Sequence, residues 1–186
     1  MEDLMNTVGW IILAIVVVAI IALVVVISLR RSRASLQKQF GPEYDRQVQA
    51  QGSERDADRH LRDVANRRDR LDIRRLDSAA RDRYTQRWQT VQTDFVDRPG
   101  HALDEADRLV TDVMHDRGYP VEDFSERADL VAADHPQVVE HYRAAHAARQ
   151  RRLQSNGDRP DAAGTEEARQ AFVHYRALFD ELVQDR

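Results

Sequence analysis

The chain has 186 residues, of which 42% are hydrophobic and 32% charged, with seven histidines, no cysteine and a formal net charge of −4. The absence of cysteine excludes disulfides, thiolate metal sites and cysteine nucleophiles. A single long apolar run in so polar a chain excludes a multi-span transporter and a large two-domain enzyme.

The mean hydropathy of −0.64 conceals unlike segments. A short tail, residues 1–7, carries only Glu2 and Asp3 as charges. Residues 8–29 then hold 20 hydrophobic residues in 22 and no charge. As a helix this run is about 33 Å long, enough for a hydrocarbon core of about 30 Å, so a transmembrane helix is expected. Trp10 lies where an interfacial anchor belongs, and Arg30, Arg31, Arg33 and Lys38 follow at the other end as contacts for anionic headgroups. The positive-inside rule places the N-terminus outside and residue 30 onward in the cytoplasm. A cleaved signal peptide, which would put the C-terminal domain outside the cytoplasm, fits less well. Its n-region would be acidic and its apolar stretch too long. The span has no glycine-based small-residue pair and no ionisable residue, so it argues neither for dimerisation nor for conduction. Self-association of the protein is left open.

Residues 30–75 are expected to form a basic linker and a charged helical stalk, of net charge +5. Phe40-Gly41-Pro42-Glu43 reads as a turn into a helix with Pro42 at its first position, and Gly52-Ser53 interrupts that helix. From residue 54 to 71, 11 of 18 residues are charged, and Ala57, Leu61, Val64 and Leu71 make only a thin apolar stripe. A solvated helix or a weak coiled coil is the expectation, since barely two heptads are present.

Residues 76–186 are expected to form a four- or five-helix bundle, of net charge −7. Tyr84, Trp88, Val91 and Phe95 share one helical face, which ends at Arg98-Pro99-Gly100. Leu103, Ala106, Val110 and Val113 form the next stripe, with Gly118 as a left-handed C-cap. Asp123 to Glu126 resembles a capping box, Asp134 and Pro136 open a further helix, and residues 155–164 form a loop. Ala168, Phe172, Tyr175, Phe179 and Leu182 mark the last helix. The fold class is therefore all-α: an N-terminal transmembrane helix, a charged stalk and a C-terminal bundle. An acidic bundle does not suit nucleic acid.

No catalytic constellation emerges. The chain has no HExxH, no GxGxxG and no phosphate-binding loop. His135 and Glu140 are too far apart for an inverted zincin signature, and His141 and His146 lie about 140° apart around a helix. Catalytic residues, cofactors and metals are all read as absent. The best candidate for an interaction surface is a polar groove formed by Tyr142, Arg143 and His146 with His174, Tyr175 and Arg176. The plainer reading, which we prefer, puts the two tyrosines in the core.

Three groups of residues carry a resemblance. They are Phe40-Gly41-Pro42-Glu43-Tyr44-Asp45-Arg46 with Asp72-Ile73-Arg74; Ala106 to Val110 with Arg117-Gly118-Tyr119-Pro120; and Asp134-His135-Pro136, Tyr142 to His146 and His174-Tyr175-Arg176. Together they resemble a family of uncharacterised, single-span actinobacterial proteins usually labelled hypothetical, membrane or secreted. Ala132-Ala133 and the long loop at 155–164 depart from its pattern. The resemblance implies a shared fold and supplies no activity. The expected function is a non-enzymatic, membrane-anchored interaction or scaffold module with a protein partner. The alternative is a small-ligand or metal-binding bundle tethered to the membrane.

Overall fold

The computed structural model describes residues 2–154 and 162–184. Among the described residues there are eight helices and no strand. The chain divides into two compact units, Met1–Lys38 and Gln39–Arg186.

The first unit is carried by α1 (Glu2–Phe40). No glycine or proline interrupts residues 10–40, and the helix continues past the apolar run through Arg30 and Lys38 before Gly41, at φ 50°, breaks it. Among the described residues no helix is long and apolar enough to cross a membrane. Within the apolar run, the side chains at positions 8, 11, 12, 14, 15, 25 and 29 lie outside those described. What is described is exposed: Trp10 to 67%, Val18 to 66% and Val24 to 59%. Arg30, Arg31 and Lys38 are exposed and Arg33 is half-buried.

In the second unit α2 (Pro42–Gln51) opens with Pro42 and ends at Gly52, at φ 68°. It leads into α3 (Glu54–Arg68). An irregular segment then reaches α4 (Ser78–Asp97), whose N-terminus is capped by Asp77. Next come α5 (Pro99–Arg117), α6 (Phe124–Asp134), α7 (Val139–Gln154) and α8 (Ala162–Gln184). Asp123 Oδ1 accepts from the Glu126 amide, capping α6 at the expected place. Asp134, expected to open a helix, instead ends one: His135 caps α6, residues 136–138 form a turn, and α7 starts at Val139, with the Tyr142 amide donating to the Val138 carbonyl at 3.1 Å.

Helices α4, α5, α7 and α8 pack on one another, with Trp88 stacked between Phe172 and Phe179 at 5.1 and 4.6 Å. Leu103, Leu109, Met114, Tyr142, Tyr175 and Leu178 are almost wholly buried. Among the described residues five helices thus lie within 76–186, but the compact unit is larger than that segment. Helix α3 packs on α2 and α6, and α6 on α7. The free-standing stalk expected over residues 30–75 is therefore corrected: from Gln39 onward this stretch is part of the folded unit. Its thin stripe is sufficient because Ala57, Leu61 and Val64 are all at most 1% exposed, and α6 brings a run of buried small residues, Ala128 and Val131 to Ala133.

The irregular segment after α3 is also fastened. The Arg74 amide donates to the Arg117 carbonyl at 2.8 Å, and the Arg117 guanidinium donates back to the Arg74 carbonyl at 3.3 Å and to the Leu182 carbonyl at 3.0 Å. Gly118, at φ 98°, lies so close that a Cβ there would stand 2.5 Å from the Asp72 carbonyl oxygen. Glycine is required on both counts, conformation and space.

Candidate functional site

The strongest polar constellation lies where α2 and α3 meet α6 and α7. Pro42 starts α2, so Glu43 falls in its first turn, yet the carboxylate is 1% exposed. Arg143 of α7 donates from Nη2 to Glu43 Oε1 at 2.8 Å and to Asp129 Oδ1 of α6 at 3.2 Å. Gln47, one turn along α2, donates to Glu43 Oε1 at 2.7 Å, and Arg46 Nε reaches Oε2 at 3.1 Å. Asp129 Oδ2 stands 3.0 Å from His60 Nε2 of α3, and Glu140 lies 3.5 Å from Arg46 Nε. Next to this cluster the buried Tyr44 hydroxyl donates to Asp58 Oδ1 at 2.9 Å.

Three carboxylates, two guanidiniums, an amide and an imidazole thus join four helices. Taking such groups out of water costs several kcal/mol per ion, and only near-complete pairing offsets it. Glu43 has three donors on its two oxygens, which meets that condition. Its carboxylates lie against cationic side chains, Glu43 against Arg143 and Arg46 and Asp129 against Arg143.

The residues of the expected groove are placed differently from one another. Tyr142 is wholly buried, with its ring 4.9 Å from that of Phe124. Its neighbour Tyr175 is equally buried and donates to Asp107 Oδ1 at 2.8 Å. Burial pushes both phenols up, with Asp107 nearby adding to the shift. Arg143 turns to Glu43 and Asp129. His146 stacks on Phe124 at 3.6 Å, and burial holds its imidazole below the ordinary value. His174 stands against His141 of α7, with the Nδ1 atoms 2.8 Å apart. Arg176 is exposed and lies 3.5 Å from Asp180. These six residues therefore face the core, the ion cluster, α6, the α7–α8 seam and the surface; they do not line one groove.

Other histidines have local partners: His135 Nδ1 is 3.0 Å from Glu181 Oε1, which also accepts from Gln137 at 2.7 Å. Among the described residues no three histidine or carboxylate side chains are grouped so as to hold a metal ion.

Glu43, His60 and Asp129 escaped the sequence reading. Glu43 resembles an ordinary acidic residue in a first helical turn, and His60 sits in a charge-rich helix. Asp129 did leave a signal. It interrupts Ala128, Leu130, Val131, Ala132 and Ala133, all of them buried, so an amphipathic helix would have to bury it as well. Comparison of the chain with models of protein families, with curated proteins and with solved structures gives no match in any of the three.

Proposed function

We propose that the chain is a single-span membrane protein whose residues 39–186 form a helical interaction module held at the cytoplasmic face. The observation that carries this reading is the exposure of α1. Val16, Val17, Val18, Ile20, Ile21, Leu23, Val24, Val26 and Ile27 are each at least 41% exposed. At 100° per residue these positions cover every side of the helix. A helix on a soluble protein hides one apolar stripe; one that is apolar all round needs an apolar surrounding. At about 1.5 kcal/mol per side chain, covering these nine is worth on the order of 10 kcal/mol. Lipid is the surrounding that suits the uncharged run at residues 8–29, with Trp10 near its start and Arg30, Arg31, Arg33 and Lys38 after it.

The interaction role rests on an ion cluster whose carboxylates are paired with cations, an arrangement that fastens helices together. It also agrees with kinship to the single-span actinobacterial proteins that the sequence resembles. Membrane fractionation under alkaline carbonate tests the anchor: the full chain is expected in the pellet, and release into the supernatant would refute it. Reporter fusions at the C-terminus test the orientation, which a reporter active only when exported would reverse. In-cell crosslinking followed by purification in detergent tests the role. A reproducible protein partner is expected, whereas a solitary monomer would sink the proposal.

A further inference from the structure

Helices α7 and α8 pack side by side, and on their seam two half-buried imidazoles meet, His141 from the start of α7 and His174 from the middle of α8. Their Nδ1 atoms are 2.8 Å apart and their ring centroids 5.0 Å apart. Two imidazoles can approach so closely only if at least one Nδ1 is unprotonated, with the other donating to it. Burial, together with the neighbouring ring of His141, holds His174 below the ordinary imidazole value. At least one lone pair therefore already lies on the seam.

That separation is the one a metal ion needs. With metal–nitrogen bonds of about 2.0 Å, two ligands at a right angle sit about 2.8 Å apart, and two at the tetrahedral angle about 3.3 Å apart. The right-angle value matches the 2.8 Å observed, and right angles belong to the square-planar and tetragonal preferences of Cu(II) and Ni(II). In the hydrogen-bonded state the two nitrogens face each other. To share an ion, the donating ring moves its proton from Nδ1 to Nε2 and both rings swivel until their lone pairs meet beside the seam.

We propose that His141 and His174 form a two-imidazole site for a divalent transition-metal ion, Cu(II) foremost, with water or a small ligand filling the remaining coordination positions. Imidazole is a favoured ligand for copper, and the affinity order of divalent ions places Cu(II) above Ni(II) and Zn(II). Both nitrogens must be unprotonated to bind, so affinity falls as acid protonates the pair. The site lies within residues 39–186 and does not depend on the membrane reading, so either can fail without the other.

The test uses tag-free full-length protein in detergent, titrated with Cu(II) alone and followed by electron paramagnetic resonance and calorimetry. One equivalent is expected to bind tightest, with hyperfine structure from two nitrogens and a raised melting temperature. His141→Gln and His174→Gln are each expected to weaken that binding at least tenfold and to remove the two-nitrogen signature. Unchanged binding in either variant, or wild-type copper bound through one nitrogen or none, would overturn the site. The nitrogen count on wild type decides the matter even if a variant fails to fold.

Discussion

Removal of the guanidinium at the centre of the ion cluster is the most informative perturbation. Arg143→Met keeps most of the side-chain length and helix propensity but withdraws the cation that holds Glu43 Oε1 at 2.8 Å and Asp129 Oδ1 at 3.2 Å. Deleting one partner of a buried pair costs about 3–5 kcal/mol, because the other charge stays buried. Here part of the loss is offset: Glu43 keeps Gln47 and Arg46, and Asp129 keeps His60. The expected loss is therefore about 2–3 kcal/mol, at or just below the lower limit of that range. In a folded unit of this size it corresponds to a fall in melting temperature of roughly 5–10 °C. Near-ultraviolet circular dichroism of the full chain in detergent reads the transition through Trp88, which stacks on Phe172 and Phe179 in the core. Glu43→Gln removes the opposite charge and keeps the shape. Combined with Arg143→Met it should cost less than the two losses added together, since each change relieves the charge that the other strands. A wild-type melting curve for Arg143→Met, or strict additivity in the double variant, would refute the account of the cluster as a coupled fastening.

The remaining predictions address other parts of the unit. Gly118→Ala places a methyl 2.5 Å from the Asp72 carbonyl oxygen at a positive φ, and a loss of about 3 kcal/mol is expected. Faster tryptic cleavage at Arg70, Arg74 and Arg75 should accompany it, and an unchanged digest would contradict the packing described. Leu61→Ala should cost about 2–4 kcal/mol in the same melting assay, because Leu61 is 1% exposed; a solvated stalk would show almost no effect. Acidification tests His146, whose imidazole burial holds below the ordinary value. A lowered folded value means that its contribution is fully present above the unfolded value of about 6.5 and is lost as pH falls. Melting temperature should therefore drop between pH 7 and pH 5, and less steeply in His146→Gln; equal slopes would reject the assignment.

What the sequence disclosed and what it hid have the same physical origin. Spacing marks a helix face when the residues on it are large. The stripe through Ala168, Phe172, Tyr175, Phe179 and Leu182 was legible, and all five are buried. Gly118 was legible as a helix stop because a positive φ is a local property of the backbone. The close approach of Asp72 to that same glycine was not, since it depends on two segments more than forty residues apart. Helix α3 misled in the opposite direction. Its charge density suggested a solvated helix, but burial depends on one face, and Ala57, Leu61 and Val64 suffice when the opposing helix presents small residues.

The same distinction explains why the polar residues were harder to assign than the apolar ones. A leucine carries its preference for burial with it, whereas a charged residue is buried only when partners from elsewhere neutralise it. Arg143 was singled out, but its partners Glu43 and Asp129 lie 100 and 14 residues away on other helices. No local spacing connects them. His141 and His174 pose the same problem at a separation of 33 residues. Residues that looked like one groove when aligned along α7 and α8 point in several directions once the helices acquire neighbours, because adjacent positions on a helix differ by about 100°. Tyr142 therefore faces the core, Arg143 faces α2 and α6, and His141 the seam with α8. Helix α7 is polar on several sides because its faces meet different surroundings: residues 140, 144, 147 and 151 meet solvent, Arg143 meets Glu43 of α2 and Asp129 of α6, and His141 meets α8.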